Sequence, residues 1–239
     1  ESLLTAAAVV GPKRFRLTIS NKWILPKMTN QKESMQSGLL NLAALHVGTQ
    51  ALGPGWRAGL WVQGCEMACP GCIAPEWQVQ KPVFLASPEA LTERILADPN
   101  ITGLTISGGE PFLQAAGLAA VARMVRSRRS LDVICYTGYT MGELETLPNQ
   151  RAIQALIGCT DVVIDGRYLE SLNDGQGLRG SDNQVVHYTS DHLMGCDFEQ
   201  HERSVEVVVQ SDGVLVVGLP PAGFGLDLEV SLADREWSG

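Results

Sequence analysis

Three thiols stand within eight residues, in the stretch CEMACPGC from Cys65 to Cys72. Cysteines at this spacing bind zinc or an iron–sulfur cluster, and a structural zinc site or an ordinary ferredoxin loop supplies its fourth ligand close by. No fourth cysteine follows here. Either a distant residue such as His46, His187, His192 or His201 completes the set, or one metal position is left open for chemistry. A second group lies further on, in SGGEP from Ser107 to Pro111. Paired glycines, Gly108 and Gly109, let backbone approach a small ligand closely, and Glu110 offers an acceptor to a cationic amino group. Alone, GGEP reads equally well as a plain strand–helix turn. Its weight comes from following CxxxCxxC by one βα unit.

The elements that must position these groups alternate between strand and helix from residue 38 onward. LNLAALHVG and GLWVQG read as strands flanking TQALGPG, whose glycines and proline mark tight turning. SPEALTERILAD opens with Ser87 as N-cap and Pro88 in the first helical turn. ITGLTIS is a strand, FLQAAGLAAVARMVRSRR a long helix with basic residues in its last turns, and LDVICYT the next strand. A helical region runs from Gly142 to Ile157, interrupted near Pro148, and TDVVIDG is a further buried strand. Such alternation predicts an α/β fold, a partial (β/α) barrel of parallel strands with functional loops at the strands' C-terminal ends. Four loops then converge on one rim: GCEMACPGC, SGGEP, TGYT and DGRY. Beyond residue 190, RSVEVVVQ-SDG-VLVVGLP predicts a β-hairpin appendage. The expected division is an N-terminal extension without fixed order (1–37, with Met28 read as a start), a main domain (38–190) and a C-terminal hairpin extension (191–239).

Composition narrows the partners. The chain has 239 residues, 45% hydrophobic and 18% charged, with a formal net charge of −8. That balance argues against a nucleic-acid surface, and no apolar run reaches the length of a membrane span. A chain of this size buries an adequate core without disulfides, so the clustered cysteines read as ligands and the scattered ones as single thiols. Cys135 and Cys159 are expected in the core and Cys196 is unassigned. A reducing compartment, the cytoplasm, is expected to follow.

Together, CxxxCxxC and GGEP resemble the radical S-adenosylmethionine superfamily. The flanking GPGWR (53–57), CPGC, PEW (75–77), TGYT (137–140), DVVIDGRY (161–168) and RGSDNQ (179–184) narrow the resemblance to the glycyl-radical enzyme activases, the anaerobic ribonucleotide reductase activators in particular. The resemblance implies a [4Fe–4S] cluster on Cys65, Cys69 and Cys72, whose open iron takes S-adenosylmethionine. It implies cofactor contacts from Ser107, Gly108, Gly109 and Glu110, from Thr137 and Gly138, and from Asp165, Arg179, Ser181 and Asn183. Asp165 and Arg167 would also stand at the mouth where a partner enters. Reductive cleavage would give a 5′-deoxyadenosyl radical that activates a glycyl-radical enzyme, with a flavodoxin- or ferredoxin-type electron donor. The chain departs from the subfamily at Ile73-Ala74, where an aromatic residue and an asparagine are usual, and at Trp56. Two other readings stand beside it: a radical enzyme acting on a small molecule, as the carboxy-deazaguanine synthases do, and a non-catalytic zinc or iron–sulfur module.

Overall fold

The computed structural model of the chain describes residues 15–19, 38–210 and 213–220; the rest of 1–37, and residues 221–239, lie outside them. Strand β1 (Phe15–Ile19) belongs to a small sheet described below. The main sheet has seven strands: β2 (Leu40–Thr49), β3 (Arg57–Val62), β4 (Phe84–Ala86), β5 (Gly103–Gly108), β6 (Asp132–Tyr136), β7 (Val162–Asp165) and β8 (Val185–Tyr188). Their order is β4-β2-β3-β5-β6-β7-β8. Only β3, β5, β6 and β7 run parallel. β2 and β8 run against them and β4 pairs antiparallel with β2, unlike the all-parallel sheet that the alternation predicts. The reason for β2 is connection length: the turn between Thr49 and Arg57 is too short for a crossover, so the two strands close as a hairpin.

Helices α1 (Pro88–Leu96), α2 (Ala115–Arg128), α3 (Met141–Leu144) and α4 (Gln150–Ile157) follow the strands. Ser87 caps α1 by accepting from the Ala90 amide at 3.2 Å, as its position before Pro88 implies. In α2, the buried residues Leu118, Ala119, Val121, Ala122 and Val125 recur at helical spacing and form the face turned to the sheet. Strand alternation divides the core in two. Along β6, Val133 and Cys135 join the cluster under the helices, whereas Ile134 and Tyr136 face Leu178, Leu193 and Phe198 on the other side. Cys135 is a core thiol, as expected, and Cys159 packs partly buried against the same cluster.

The C-terminal hairpin is present as β9 (Val205–Gln210) and β10 (Gly213–Gly218) in antiparallel register. It has a third strand that the sequence did not suggest. β1 runs parallel along the far side of β9, with Phe15 opposite Val205, within the stretch expected to lack order. Pairing there satisfies an edge that would otherwise be exposed. Val208 and Val217 pack on Leu52 and Trp61, which seats the small sheet against β3 and the turn before it. No described helix is long and apolar enough to cross a membrane.

At the N-terminal ends of the parallel strands, Arg57 is fully buried. Its guanidinium donates to Thr105 Oγ1 at 2.7 Å and to the carbonyls of Pro54 and Leu104 at 2.8 and 2.9 Å, and it forms an ion pair with Asp132 at 2.5 Å. It clamps β3, β5 and β6 at the end opposite the cysteine loop and keeps their other ends in register.

Candidate active site

The cysteine loop leaves the end of β3 and is pinned where it begins and where it returns. Gly64 N donates to Trp77 O at 2.8 Å and Cys65 N to Gln78 O at 3.0 Å. The Gln63 side chain adds bonds to the carbonyls of Glu76 and Val79 at 3.1 and 2.7 Å. A loop so held presents its thiols from a fixed base. All three are free and half-buried, and Cys65 Sγ accepts from Met67 N at 3.4 Å. Partial burial pushes the Cys65 and Cys69 thiols up from their ordinary values, because an unliganded thiolate is poorly solvated there.

The SGGEP turn sits beside this loop. A Cβ on Gly109 would fall 2.2 Å from Gly64 O, and one on Gly108 would fall 2.4 Å from Val62 N. The paired glycines therefore let two backbones touch, a requirement additional to any ligand. Gly109 N donates to Val62 O at 2.7 Å and Glu110 N to Gly64 O at 2.8 Å, locking the turn to the base of the cysteine loop. Glu110 is almost wholly buried. Its Oε1 accepts from Phe112 N and Thr137 Oγ1, both at 2.9 Å, and its Oε2 accepts from Gly138 N at 2.8 Å. Burial outweighs these bonds and raises the carboxyl to about 7. A carboxylate has about four lone-pair positions, so Oε2 keeps acceptor capacity for one more donor.

An open cleft runs between these groups. Cys65, Cys69, Cys72, Ser107, Gly108, Gly109, Glu110, Thr137 and Gly138, all singled out in the sequence, line it. Asp165, Arg179, Ser181 and Asn183 do not. Asp165 is buried at the start of α3, accepting from Met141 N at 2.6 Å, with His187 Nε2 at 3.0 Å. Arg167 is exposed and pairs with Glu143 at 2.9 Å. Arg179 pairs with Asp182 at 2.5 Å and Asp174 at 3.4 Å. Ser181 Oγ donates to Asn183 Oδ1 at 2.8 Å, and Asn183 Nδ2 to the carbonyl of Arg167 at 2.8 Å. RGSDNQ is thus a polar loop held by its own side chains, and it reaches the cleft through Gly180 and Gln184. Tyr136, Tyr168 and Asn173 also line the cleft, as do Arg203, Leu219 and Pro220. Tyr168 lies in a quoted motif without a role. The last three carry no local signal, because the fold brings them there from the C-terminal extension.

Thiols over the ends of parallel strands, facing a buried carboxylate, define the class: an α/β enzyme built around an iron–sulfur cluster. A family model described as a 4Fe-4S single cluster domain matches residues 51–187. The anaerobic ribonucleoside-triphosphate reductase-activating protein of Vibrio cholerae is 34% identical over 146 residues, covering 56% of this chain and 89% of that one. Its counterpart from Escherichia coli K12 is 32% identical over 147 residues, covering 57% and 90%. That of Enterobacteria phage T4 is 29% identical over 144 residues, covering 58% and 88%. The structure of QueE from Escherichia coli aligns with 85% of this chain and 96% of its own at a TM-score of 0.40 and 13% identity, too loosely to bear on the site. The chain belongs to the 4Fe-4S single cluster domain family and to the family of the anaerobic ribonucleoside-triphosphate reductase-activating proteins.

Proposed function

We propose that this chain cleaves S-adenosylmethionine reductively at a [4Fe–4S] cluster and uses the product radical to place a glycyl radical on a partner enzyme of the anaerobic ribonucleotide reductase kind. The observation that carries the reading is the meeting of three free thiols with the buried Glu110 carboxylate across one cleft. The all-sulfur donor set suits iron–sulfur chemistry, and the residues present fit the group.

In this reading Cys65, Cys69 and Cys72 would hold the cluster beside the cleft. Bound there, cluster and cofactor supply a one-electron cleavage of the sulfonium that ends in hydrogen removal from a glycine Cα. The protein's own residues orient and shield. Glu110, held in place by Thr137 and Gly138, would accept the cofactor's amino group on Oε2. The charge that burial disfavours is stabilised once an ammonium group faces it. Ser107, Gly108 and Gly109 form the floor between the two. The partial barrel expected of the parallel core would leave one side of the rim open for a peptide loop and for a flavodoxin- or ferredoxin-type donor.

Anaerobic reconstitution tests the reading. The chain should bind iron and sulfide, absorb broadly near 400 nm, and form 5′-deoxyadenosine when reduced with S-adenosylmethionine. A cognate glycyl-radical enzyme should then acquire a radical detectable by electron paramagnetic resonance. Zinc in place of iron would overturn the cluster, and stoichiometric turnover of a small metabolite with no protein radical would replace the protein substrate.

A further inference from the structure

One wall of the cleft comes from a part of the chain beyond residues 51–187, the span that the family model matches. The Arg203 side chain is 5% exposed. Its Nε donates to the carbonyls of Gln176 and Gly177 at 3.2 and 2.9 Å, and its Nη1 donates to Asn173 Oδ1 at 2.8 Å. Its Nη2 donates to Gln176 O at 2.8 Å and to Arg179 O. Every one of these acceptors lies on the loop 173–180, which borders the cleft at Asn173 and Gly180. The same loop is held by Leu178 N donating to Phe198 O at 2.7 Å and by Tyr136 Oη donating to Leu178 O at 2.6 Å. At Gly177, φ is +64° and a Cβ would fall 2.6 Å from Phe198 O, so the loop is shaped to fit the extension. Next to it, Leu219 and Pro220 follow β10 and border the cleft, Leu219 packing on the cluster that includes Tyr136 and Phe198.

The cysteine loop occupies the β3 side of the cleft, and Glu110 stands on its floor at the end of β5. A ligand whose amino group meets Glu110, with its sulfonium toward the thiols, has the rest of its length left to place in the same cleft, which Arg203, Leu219 and Pro220 also line. We propose that the C-terminal extension is a specificity element: Leu219 and Pro220 form an apolar wall for the nucleoside end of the cofactor, and Arg203 is the positioning residue that sets the 173–180 loop beside it. The inference rests on the S-adenosylmethionine reading, and its test separates the two.

The reconstituted full chain is compared with Leu219→Trp and Arg203→Lys. Iron content should be the same in all three. Leu219→Trp narrows the cleft and should weaken S-adenosylmethionine roughly tenfold, as displaced positioning contacts do. Methionine, which lacks the adenosyl group, should compete as well as it does in the wild type. Arg203→Lys keeps the charge but loses the planar fork, so it should speed amide exchange across 173–180 in the cofactor-free chain and weaken S-adenosylmethionine more than methionine. Unchanged S-adenosylmethionine affinity in Leu219→Trp would overturn the wall, as would equal losses for both ligands. Unchanged exchange in Arg203→Lys would overturn the positioning role. If the wild type itself fails to bind S-adenosylmethionine, the functional reading falls first and the inference with it.

Discussion

The cysteine wall of the cleft is pinned by bonds that stay within residues 51–187, such as Cys65 to Gln78 and Glu110 to Gly64, whereas the other wall depends on Arg203 reaching back to Gln176 and on Phe198 reaching back to Leu178. The first wall lies inside the span shared with the family, and the second is completed from outside it. The cysteine wall is thus held from within the matched span, and the other wall needs residues from beyond it.

The comparison can be broken most visibly at the thiols. Replacing Cys65, Cys69 or Cys72 with Ala should abolish cluster binding, read as iron per chain, because two thiolates do not hold a cubane. Cys135→Ala should leave iron unchanged and cost about 1–2 kcal/mol of stability in thermal melts, as loss of a small buried side chain does. Iron loss in Cys135→Ala equal to that in the triad variants would refute the assignment.

Next in size is the clamp that serves both walls from below. Arg57→Ala removes a buried cation from Asp132, Thr105 and two carbonyls, and should cost roughly 3–5 kcal/mol in denaturant unfolding. Reconstituted at low temperature, whatever fraction folds should still take up iron, since the cysteine loop is anchored at the other end of the strands.

Glu110 sharpens the floor between the walls. Glu110→Gln keeps the shape and should weaken S-adenosylmethionine by about 1.5–3 kcal/mol, the scale of a hydrogen bond to a charged group, while retaining iron. Its carboxyl is raised to about 7, chiefly by burial. The ligand-free fold therefore binds a proton there more readily than the unfolded chain does. This group's contribution to stability is present below the ordinary glutamate range and is lost as pH rises through about 7. Cofactor affinity should run the other way, rising through the same window as the carboxylate forms. Glu110→Gln should flatten both profiles, and an unaltered stability profile in that variant would show that the titration belongs elsewhere.

The smallest effect is expected at Arg167. Its pair with Glu143 is exposed on both sides, so Arg167→Ala should change stability by less than about 1 kcal/mol. A larger loss of partner-dependent turnover than of partner-independent cleavage would mark the neighbouring rim as a docking surface.

The cysteine wall is legible because each part of it is encoded locally. A strand, a turn and a cap sit within a few residues of one another in GLWVQGC and ITGLTISGGEP, and periodicity reads such units well. The glycines of SGGEP were assigned to ligand approach, and the added reason, contact with Val62 and Gly64, needed the register of β3 against β5. Asp165 and the RGSDNQ side chains carry the right chemistry for a binding site, yet their bonds are to the protein itself, among them Met141, Arg167, Asp174, Gly166 and one another. Polar residues bind a ligand or bind the chain, and sequence alone does not say which. Arg203, Leu219 and Pro220 left no local trace, and neither did β1, whose partner strand begins at Val205.

The pairing of Phe15 with Val205 has a consequence in time as well as in space. Contacts between residues so far apart carry a high loop-closure entropy and form late in folding. On a ribosome, the cysteine loop and SGGEP turn emerge long before β9 can meet β1. Until it does, the β1–β9 ladder cannot add its bonds to the hairpin that leads into Leu219 and Pro220. The nascent chain therefore passes through an interval in which the thiols are already framed and that side of the cleft is still unfinished.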